Sequence, residues 1–328
     1  MSDVAHLAGV SAQTVSRVAA GSAHVRPDTR ERVLRAMNQL GYSPNRAAQA
    51  LRRGSFKTIG VLTQQIHRTG EALTTAGVLE AATAVDYAVN LVQVERPASE
   101  ELREAVYRLS HQAIDGLVVV QAGRAGREHL VLPPSLPVAV SDSTLVDYYP
   151  SASADQVGGV RDAVGHLLEL GHRTVHHVCG PEDSQSALIR KATWARTLQE
   201  AGAPVPEAVP GGWEAAAGYE AGLRLSADPE ATAVFCANDE LALGLIRAMH
   251  EQGRRVPQDV SVVGFDGLAV GEYSFPPLTT VRQDFKRHGR EMVGLVLEQA
   301  GSGTRDGGRS IIIPTEFLVR GSTASPTA

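Results

Sequence analysis

Two side chains near the N-terminus, Gln13 and Arg17, are of the types that read DNA bases in the major groove. Glutamine pairs bidentately with adenine, arginine pairs bidentately with guanine, and the methyl of Ala12 suits the methyl of thymine. A spacing of four places Gln13 and Arg17 on one helix face. The neighbours of a size to reach phosphates are Ser11, Thr14, Ser16 and His24. The pattern predicts a DNA-reading helix, although a three-helix bundle with a polar face would show the same spacing.

A second set of polar residues follows the ends of apolar runs in the rest of the chain, and it suits a polyol ligand. Carboxylates and amides share hydrogen bonds with hydroxyls, arginine adds a forked donor, and tryptophan offers a flat apolar platform. The residues concerned are Asp142, Arg190, Trp213, Asn238, Asp266 and Gln283. Alternatives stay open: Asp239 is expected to cap a helix rather than to contact ligand, and Gln283 has an equally good structural role.

Three short helices must position the first set. The predicted helices span residues 2–8 with Ser2 as cap, residues 11–19 with Ser11 as cap, and residues 27–40 with Pro27 in the first turn and Gly41 after the end. The residues expected to point inward are Val4, Leu7, Val15, Val18, Val33, Met37 and Leu40. Residues 45–51 (NRAAQAL) favour a helix of two turns, which is marginal alone in water.

The remainder of the chain alternates apolar strands with amphipathic helices. The predicted strands are Thr58–Leu62, Val89–Val94, Gly116–Val120, Val138–Ser141, Thr174–Cys179, Ala233–Cys236 and Ser261–Phe265. The predicted helices lie near residues 99–112, 156–170, 188–201, 214–226 and 239–252. This order is typical of an α/β fold with parallel sheets, and its length favours two subdomains. Residues 321–328 (GSTASPTA) are expected to be disordered.

Charge and motif content narrow the classes of function. Residues 1–57 contain nine Lys or Arg and three Asp or Glu, while the whole chain has a formal net charge of −5. A basic segment on an acidic body favours a polyanionic partner for that segment. Cys179 and Cys236 are expected in the core of a cytoplasmic protein, because no signal peptide or membrane-spanning run is present.

Enzyme motifs are absent, since there is no GxxxxGK[ST], GxGxxG or GxSxG sequence. His172, His176, His177 and Cys179 lie close together, but strand alternation would point His176 and His177 to opposite faces, so a metal site is not favoured. No catalytic residue, metal or cofactor is expected. A secreted sugar receptor is disfavoured by the missing signal peptide and by the basic N-terminal segment.

Several motifs together resemble the lac repressor family of bacterial regulators. They are DVAHLAGVSAQTVSRV (residues 3–18), HVRPDTRERVLRAMNQLGYSPNRAAQAL (24–51), LLELGHR, ANDELALG, VSVVGFD and PPLTTVRQDF. The resemblance implies a helix-turn-helix head joined to a core of periplasmic-binding-protein type, with two doubly wound parallel-sheet subdomains around an effector cleft. It also implies that Asn45–Leu51 is a hinge helix which orders on DNA, that Asn45 and Ala48 contact DNA, and that Leu51 wedges into the minor groove.

The resemblance also assigns the six polar residues above to the effector, with Gln64 beside them. Gln64, Gln65 and Arg68 replace smaller or apolar groups of galactoside-sensing relatives, so the sugar cannot be taken from kinship. Two departures concern DNA: few residues precede the first helix, and Ala12 replaces a common aromatic residue. The operator is therefore not transferable from a relative.

The expected organisation is a head (residues 1–44), a hinge and linker (45–57) and an effector core (58–320). Within the core, one subdomain comprises about 58–154 and 285–312, and the other about 155–284 and 313–320. The expected function is that of a repressor, acting as a homodimer on a near-palindromic double-stranded operator and controlled by a small-molecule effector, a sugar or sugar derivative. The alternative is a sugar-binding α/β protein or enzyme with an adventitious basic N-terminus.

Overall fold

The computed structural model describes residues 1–19, 22, 24–42, 55–94, 104–105, 107–109, 114–120, 132–141, 144–146, 148–303 and 308–326. The chain divides into two compact units, Met1–Lys57 and Thr58–Ala328. We refer to them as the head and the core. The predicted hinge segment, residues 45–51, lies outside the described residues.

The head contains helices α1 (Ser2–Ala8), α2 (Ala12–Ala19) and α3 (Pro27–Gln39). Their shared core includes Val4, Val15 and Val33, each at most 1% exposed. Three predictions about the head were wrong. Met1, not Ser2, occupies the N-cap of α1. Leu7 and Leu40 are exposed, because Leu7 lies off the buried face formed by Val4, Ala5 and Ala8, and Leu40 follows the last residue of α3.

The core alternates strands and helices. Its elements in chain order are β1 (Thr58–Thr63), α4 (Thr69–Thr83), β2 (Ala88–Gln93), β3 (Gly116–Val120), β4 (Val138–Ser141), β5 (Ser151–Ala154), α5 (Gln156–Glu169), β6 (His176–Val178), α6 (Gln185–Glu200), α7 (Ala215–Ser226), β7 (Ala233–Cys236), α8 (Asp239–Glu251), β8 (Ser261–Asp266), α9 (Ala269–Glu272), β9 (Thr279–Arg282), α10 (Phe285–Ser302), β10 (Ser310–Ile313) and β11 (Glu316–Leu318).

These strands form two sheets. The first has the order β10-β5-β4-β3-β1-β2 and is parallel throughout. The second has the order β11-β9-β8-β7-β6, in which only β11 runs antiparallel to its neighbour. The prediction of an α/β core with two parallel sheets is confirmed. The seven predicted strands all form, with ends shifted by at most two residues.

Among the elements that the structure describes, four strands and two long helices were not predicted. β5 has the sequence SASA, whose small residues carry little strand preference although three of the four are buried. α4 (TGEALTTAGVLEAAT) has no separate apolar and polar face. α10 begins at a cap that the prediction passed over, where Asp284 Oδ1 accepts a hydrogen bond from Arg287 N at 2.9 Å. Packing rather than local sequence pattern places these elements.

In the described ranges, the chain crosses between the two sheets at 154–156, 282–285 and 313–316. α4 and α10 pack together on one face of the first sheet, where Ile59, Val118 and Met292 are buried. α5 covers the second sheet, and its Val160 belongs to the same buried cluster as Phe235. The crossing segments therefore place Gln156 and Gln283 between the two sheets.

The prediction of a disordered tail was wrong for residues 321–326. Ser322 is fully buried, and its backbone oxygen accepts a hydrogen bond from Val262 N at 2.8 Å. The Ser322 hydroxyl accepts from Thr279 N at 2.8 Å and donates to Val262 O at 2.6 Å. Ala324 N donates to Ser261 Oγ at 3.0 Å. A polar, low-complexity sequence is thus ordered by backbone groups of the second sheet.

Removing the Ser322 hydroxyl should destabilise the core. In Ser322→Ala the buried Thr279 N–H loses its acceptor, and we expect the free energy of unfolding to fall by about 1–3 kcal/mol. Urea denaturation followed by tryptophan fluorescence measures this change, since both tryptophans lie in the core. Ser325→Ala, at an exposed position of the same segment, serves as control and should be neutral. Equal stability of the two variants would contradict an ordered tail.

Candidate functional site

Helix α2 presents the predicted base-reading residues to solvent. Gly9 makes the preceding turn with φ 62°, a conformation that glycine adopts without strain. Ser11 caps the helix as predicted, because its Oγ accepts a hydrogen bond from Thr14 N at 3.2 Å. Val15 and Val18 are buried as predicted.

The opposite face of α2 is open. Ala12, Gln13 and Arg17 are exposed and Ser16 is half-buried. The hydroxyls of Ser11 and Thr14 lie 3.0 Å apart and share a hydrogen bond. His24 is exposed beyond the helix. The head therefore brings these seven predicted DNA contacts to its surface, whereas Asn45, Ala48 and Leu51 lie outside the described residues.

A cleft lies between the two sheets of the core. It opens at the carboxyl ends of the strands, where ligands bind in open α/β folds. Its described lining consists of Arg68, Thr69, Gly70, Glu71, Thr74, Gln156, Ser186, Arg190, Trp213, Asn238, Asp266, Gln283 and Phe285. Five of the seven predicted effector residues are thus brought together in one cleft.

Arg190, on α6, is held at the centre of the cleft wall. Its Nε donates to Gln156 Oε1 at 2.7 Å, and its Nη1 donates to Ala237 O. The guanidinium lies over the Phe265 ring, with 3.7 Å from Cζ to the ring centroid. Trp213 is also within reach, with 5.6 Å from Cζ to its ring. Because hydrogen bonds hold two edges of the guanidinium group and an aromatic ring covers one face, Arg190 presents a fixed hydrogen-bond donor to the cleft.

Asp266 ends β8 and faces Arg190, with Oδ1 at 3.5 Å from Nη2. Its backbone has φ 114°, an unusual value for a residue other than glycine and a mark of functional positions. Burial raises its pKa to about 6, and Arg190 opposes the shift. Gln283 Nε2 donates to Asp266 Oδ1 at 2.7 Å. The carboxylate is ionised at neutral pH and available to ligand hydroxyls.

Gln156 and Gln283 join the crossing segments to this pair. Gln156 Nε2 donates to Gln283 Oε1 at 3.5 Å, so one chain of contacts runs from Arg190 through Gln156 and Gln283 to Asp266. The structure therefore gives Gln283 a structural contact as well as a place in the cleft lining.

Asn238 supports the aromatic platform. Its Oδ1 caps α8 by accepting from Leu241 N at 2.9 Å. Its Nδ2 donates to Trp213 O at 2.9 Å. Trp213 is 9% exposed and lines the cleft. Asn238 therefore acts on the cleft partly by holding Trp213 in place.

The prediction that Asp239 caps α8 was wrong, because Asn238 is the cap and Asp239 is the first helical residue. The Asp239 carboxylate is fully buried behind the cleft. It accepts hydrogen bonds from Leu268 N at 2.6 Å and from Thr280 Oγ1 at 2.5 Å. Burial, reinforced by the charge of Asp266, raises its pKa to about 7. Asp239 thus joins α8 to the loop after β8.

Two predicted effector residues remain. Gln64 is buried and is not one of the residues that line the cleft, and its backbone N–H donates to Glu71 Oε2 at 3.1 Å. Asp142 lies outside the described residues. Cleft residues that the sequence did not identify include Glu71, Gln156, Ser186 and Phe285. Only Phe285 had a signal, as the last residue of the PPLTTVRQDF motif.

The histidine and cysteine group belongs to the core. His177 Nδ1 lies 2.9 Å from Phe235 O, and its ring stacks on Phe235. Burial lowers the pKa of His177 to about 4, so the ring is neutral at physiological pH. Cys179 and Cys236 are buried and unpaired, as predicted. Among the described residues, no three His, Cys, Asp or Glu side chains are grouped to hold a metal.

Comparison with known proteins covers almost the whole chain. Residues 1–45 match bacterial regulatory proteins of the lacI family, and residues 164–323 match the periplasmic binding protein-like domain. The lactose operon repressor of Escherichia coli K12 is 35% identical over 99% of this chain and 90% of its own length. None of the helices in the described part of the chain has the length and apolar character needed to cross a membrane.

Solved structures agree with the sequence comparison. The lac repressor dimer bound to operator and the anti-inducer ONPF matches with a TM-score of 0.86 and 33% identity, covering 98% of each chain. The complex of the regulator CelR with cellobiose matches with a TM-score of 0.74 and 30% identity, also covering 98% of each. These relatives are transcriptional regulators rather than enzymes. The chain described here belongs to the LacI family of bacterial transcriptional regulators.

Proposed function

We propose that the protein is a homodimeric repressor that binds a near-palindromic operator and leaves it when a carbohydrate fills the core cleft. The observation that carries this proposal is the presence, in one chain, of an exposed base-reading face on α2 and a cleft built around Arg190, Asp266 and Trp213. An arginine fork, a carboxylate and an indole face together suit a polyhydroxylated ligand.

The two-fold symmetry of a dimer matches the symmetry of a near-palindrome, with one α2 in the major groove of each half-site. The dimeric, operator-bound state of the lac repressor structure supports the same arrangement. In this proposal Asn45–Leu51 forms paired hinge helices at the operator centre. Such a regulator acts in the cytoplasm, where its operator is.

Effector and operator are coupled through the core. A ligand that contacts both walls of the cleft favours one relative position of the two sheets, and the three crossing segments transmit that preference to the start of β1, where the hinge joins. Because the coupling is thermodynamic, operator DNA must weaken effector binding by the same factor by which effector weakens operator binding.

A gel-shift assay with DNA from upstream of the protein's own gene tests operator binding. Arg17→Ala should relax the preference at one base pair in each half-site and cost about 1–3 kcal/mol per contact. Arg35→Ala, which removes the same charge from an exposed position on α3, is the control and should leave base preference unchanged. If Arg17→Ala weakened binding to all sequences equally, Arg17 would contact phosphate and not a base.

A screen of sugars and sugar phosphates by thermal shift tests the effector half of the proposal. A stabilising sugar should also release the protein from its operator in the gel-shift assay. If the protein binds its operator specifically and no stabilising sugar releases it, that result contradicts control by a carbohydrate. It does not contradict operator binding.

A further inference from the structure

The wall of the cleft that faces Arg190 and Asp266 contains a buried carboxylate, Glu71, in the first turn of α4. Glu71 is 1% exposed and lines the cleft. Its Oε2 accepts three hydrogen bonds: from Thr63 Oγ1 at 2.7 Å, from Gln64 N at 3.1 Å and from Gln65 N at 2.7 Å. One oxygen of Glu71 is thus occupied by the loop after β1, and the side chain is fixed.

The other oxygen of Glu71 has no hydrogen-bond partner in the described part of the chain. Glu71 Oε1 is buried and accepts no hydrogen bond from the described residues, and the buried Arg68 Nε on the same wall donates none to them. A buried polar group without a partner is costly and uncommon in native proteins. Burial raises the pKa of Glu71, so its ionised form would gain from a further donor. Two residues that line the cleft thus carry one unsatisfied acceptor and one unsatisfied donor.

The charge of the cleft indicates what such a ligand carries. Its described lining contains two arginines, Arg68 and Arg190, and two acids, Glu71 and Asp266. Because these charges balance, a charged ligand would lose its hydration in the cleft and find no unpaired charge of opposite sign there. A phosphate or carboxylate placed near Glu71 would also be repelled. Hydroxyl groups both donate and accept, and therefore satisfy Glu71 Oε1 and Arg68 Nε together.

We propose that Glu71 and Arg68 form a second recognition wall, which binds hydroxyls of a neutral polyhydroxylated effector. One hydroxyl donates to Glu71 Oε1, and a hydroxyl oxygen accepts from Arg68 Nε. This assignment rests on the proposed function and specifies its effector as an uncharged sugar. Since Glu71 Oε2 also holds Gln64 and Gln65, the ligand is tied through one carboxylate to the loop that follows β1.

Glu71→Gln tests the role of the carboxylate with little change in shape. The amide oxygen can replace Oε2 and keep the three loop hydrogen bonds, so the amide nitrogen then presents a donor where Oε1 presented an acceptor. The full-length protein is screened by thermal shift against cellobiose, lactose and ribose as neutral sugars, and against glucose 6-phosphate and gluconate as anions. Tryptophan fluorescence, which includes Trp213 in the cleft, gives the dissociation constant of each sugar that binds.

We expect a neutral sugar to stabilise the wild type, and Glu71→Gln to weaken its binding by about 10- to 100-fold, the effect of one hydrogen bond to a charged group. Glu80→Gln, at an exposed position of α4 paired with Lys286, is the control and should bind as wild type does. Arg68→Met, at a half-buried position, should also weaken sugar binding. This variant tests the same wall if Glu71→Gln does not fold.

Three outcomes would overturn the assignment: unchanged affinity in Glu71→Gln or in Arg68→Met, strongest stabilisation by glucose 6-phosphate or gluconate, or no stabilisation by any neutral sugar. The proposed function is judged separately by the gel-shift assay. A wild type that binds its operator and responds to an anionic sugar remains a regulator, with a different second wall.

Discussion

Arg190→Met should abolish the effector response and destabilise the core by about 3–5 kcal/mol, the usual cost of removing one partner of a buried ion pair. Arg190 is 3% exposed, and its loss leaves the Asp266 carboxylate without its facing cation and Gln156 without its donor. Methionine fills a similar volume, so the change is mainly one of charge and hydrogen bonding. Urea denaturation at one protein concentration measures stability, and release of operator by the stabilising sugar measures the response.

The loss of stability in Arg190→Met should grow with pH. The pKa of Asp266 is raised from an ordinary 3.8 to about 6 in the folded protein. The stability that protonated Asp266 contributes is therefore fully present below pH 3.8 and is lost as pH rises through 6. Without Arg190 the folded pKa rises further, and the variant keeps losing stability above pH 6 while the wild type no longer does. The difference should be larger at pH 8 than at pH 5.

Arg196→Met is the matched control for Arg190→Met. Arg196 lies on the same helix, α6, where its side chain is 72% exposed and pairs with Glu200. Exposed pairs of this kind contribute at most about 1 kcal/mol. A stability loss in Arg190→Met no greater than in Arg196→Met, or a normal sugar response, would show that Arg190 does not organise the cleft.

Gly289→Ala should destabilise the core by about 3 kcal/mol or more, at the upper end of overpacking effects. α4 and α10 touch through their backbones at this point. A Cβ on Gly289 would overlap the backbone of Gly77 and Val78, and a Cβ on Gly77 would lie 2.5 Å from Phe285 O. Backbone atoms cannot rotate away, so the helices must separate.

Separation of α4 and α10 should also change the positions of residues that line the cleft. α4 carries Glu71 in its first turn and α10 begins with Phe285, and both residues line the cleft. We therefore expect Gly289→Ala to weaken sugar binding, measured by tryptophan fluorescence, along with stability, measured by urea denaturation.

Gly294→Ala is the control on the same helix. A Cβ at Gly294 meets no atom within 4 Å, and replacing glycine by alanine in a helix interior stabilises by about 1 kcal/mol. The two glycine variants of α10 should thus shift stability in opposite directions. If both were neutral, the backbone contact between α4 and α10 would be looser than the structure shows.

Local patterns in the sequence were enough for much of the fold. Ser11 caps α2, Val15 and Val18 are buried, and the apolar runs at Gly116–Val120 and Ala233–Cys236 form strands with the predicted bounds. In each case the structure is decided by interactions between residues close in sequence, or by apolar residues that are consecutive or recur at a short, regular spacing. Weak patterns failed for the opposite reason: β5 and α4 form because neighbouring elements cover them.

By itself, then, the sequence determined the α/β order, the exposed face of α2 and five of the residues that meet in the cleft. Only the tertiary structure decided how those residues are used. Arg190 is fixed by Gln156 and Ala237, which lie 34 and 47 positions away, and the ordered Ser322 contacts Val262 across 60 positions. The raised pKa of Asp266 and the unpartnered oxygen of Glu71 follow from burial between two sheets, and burial depends on contacts between distant segments.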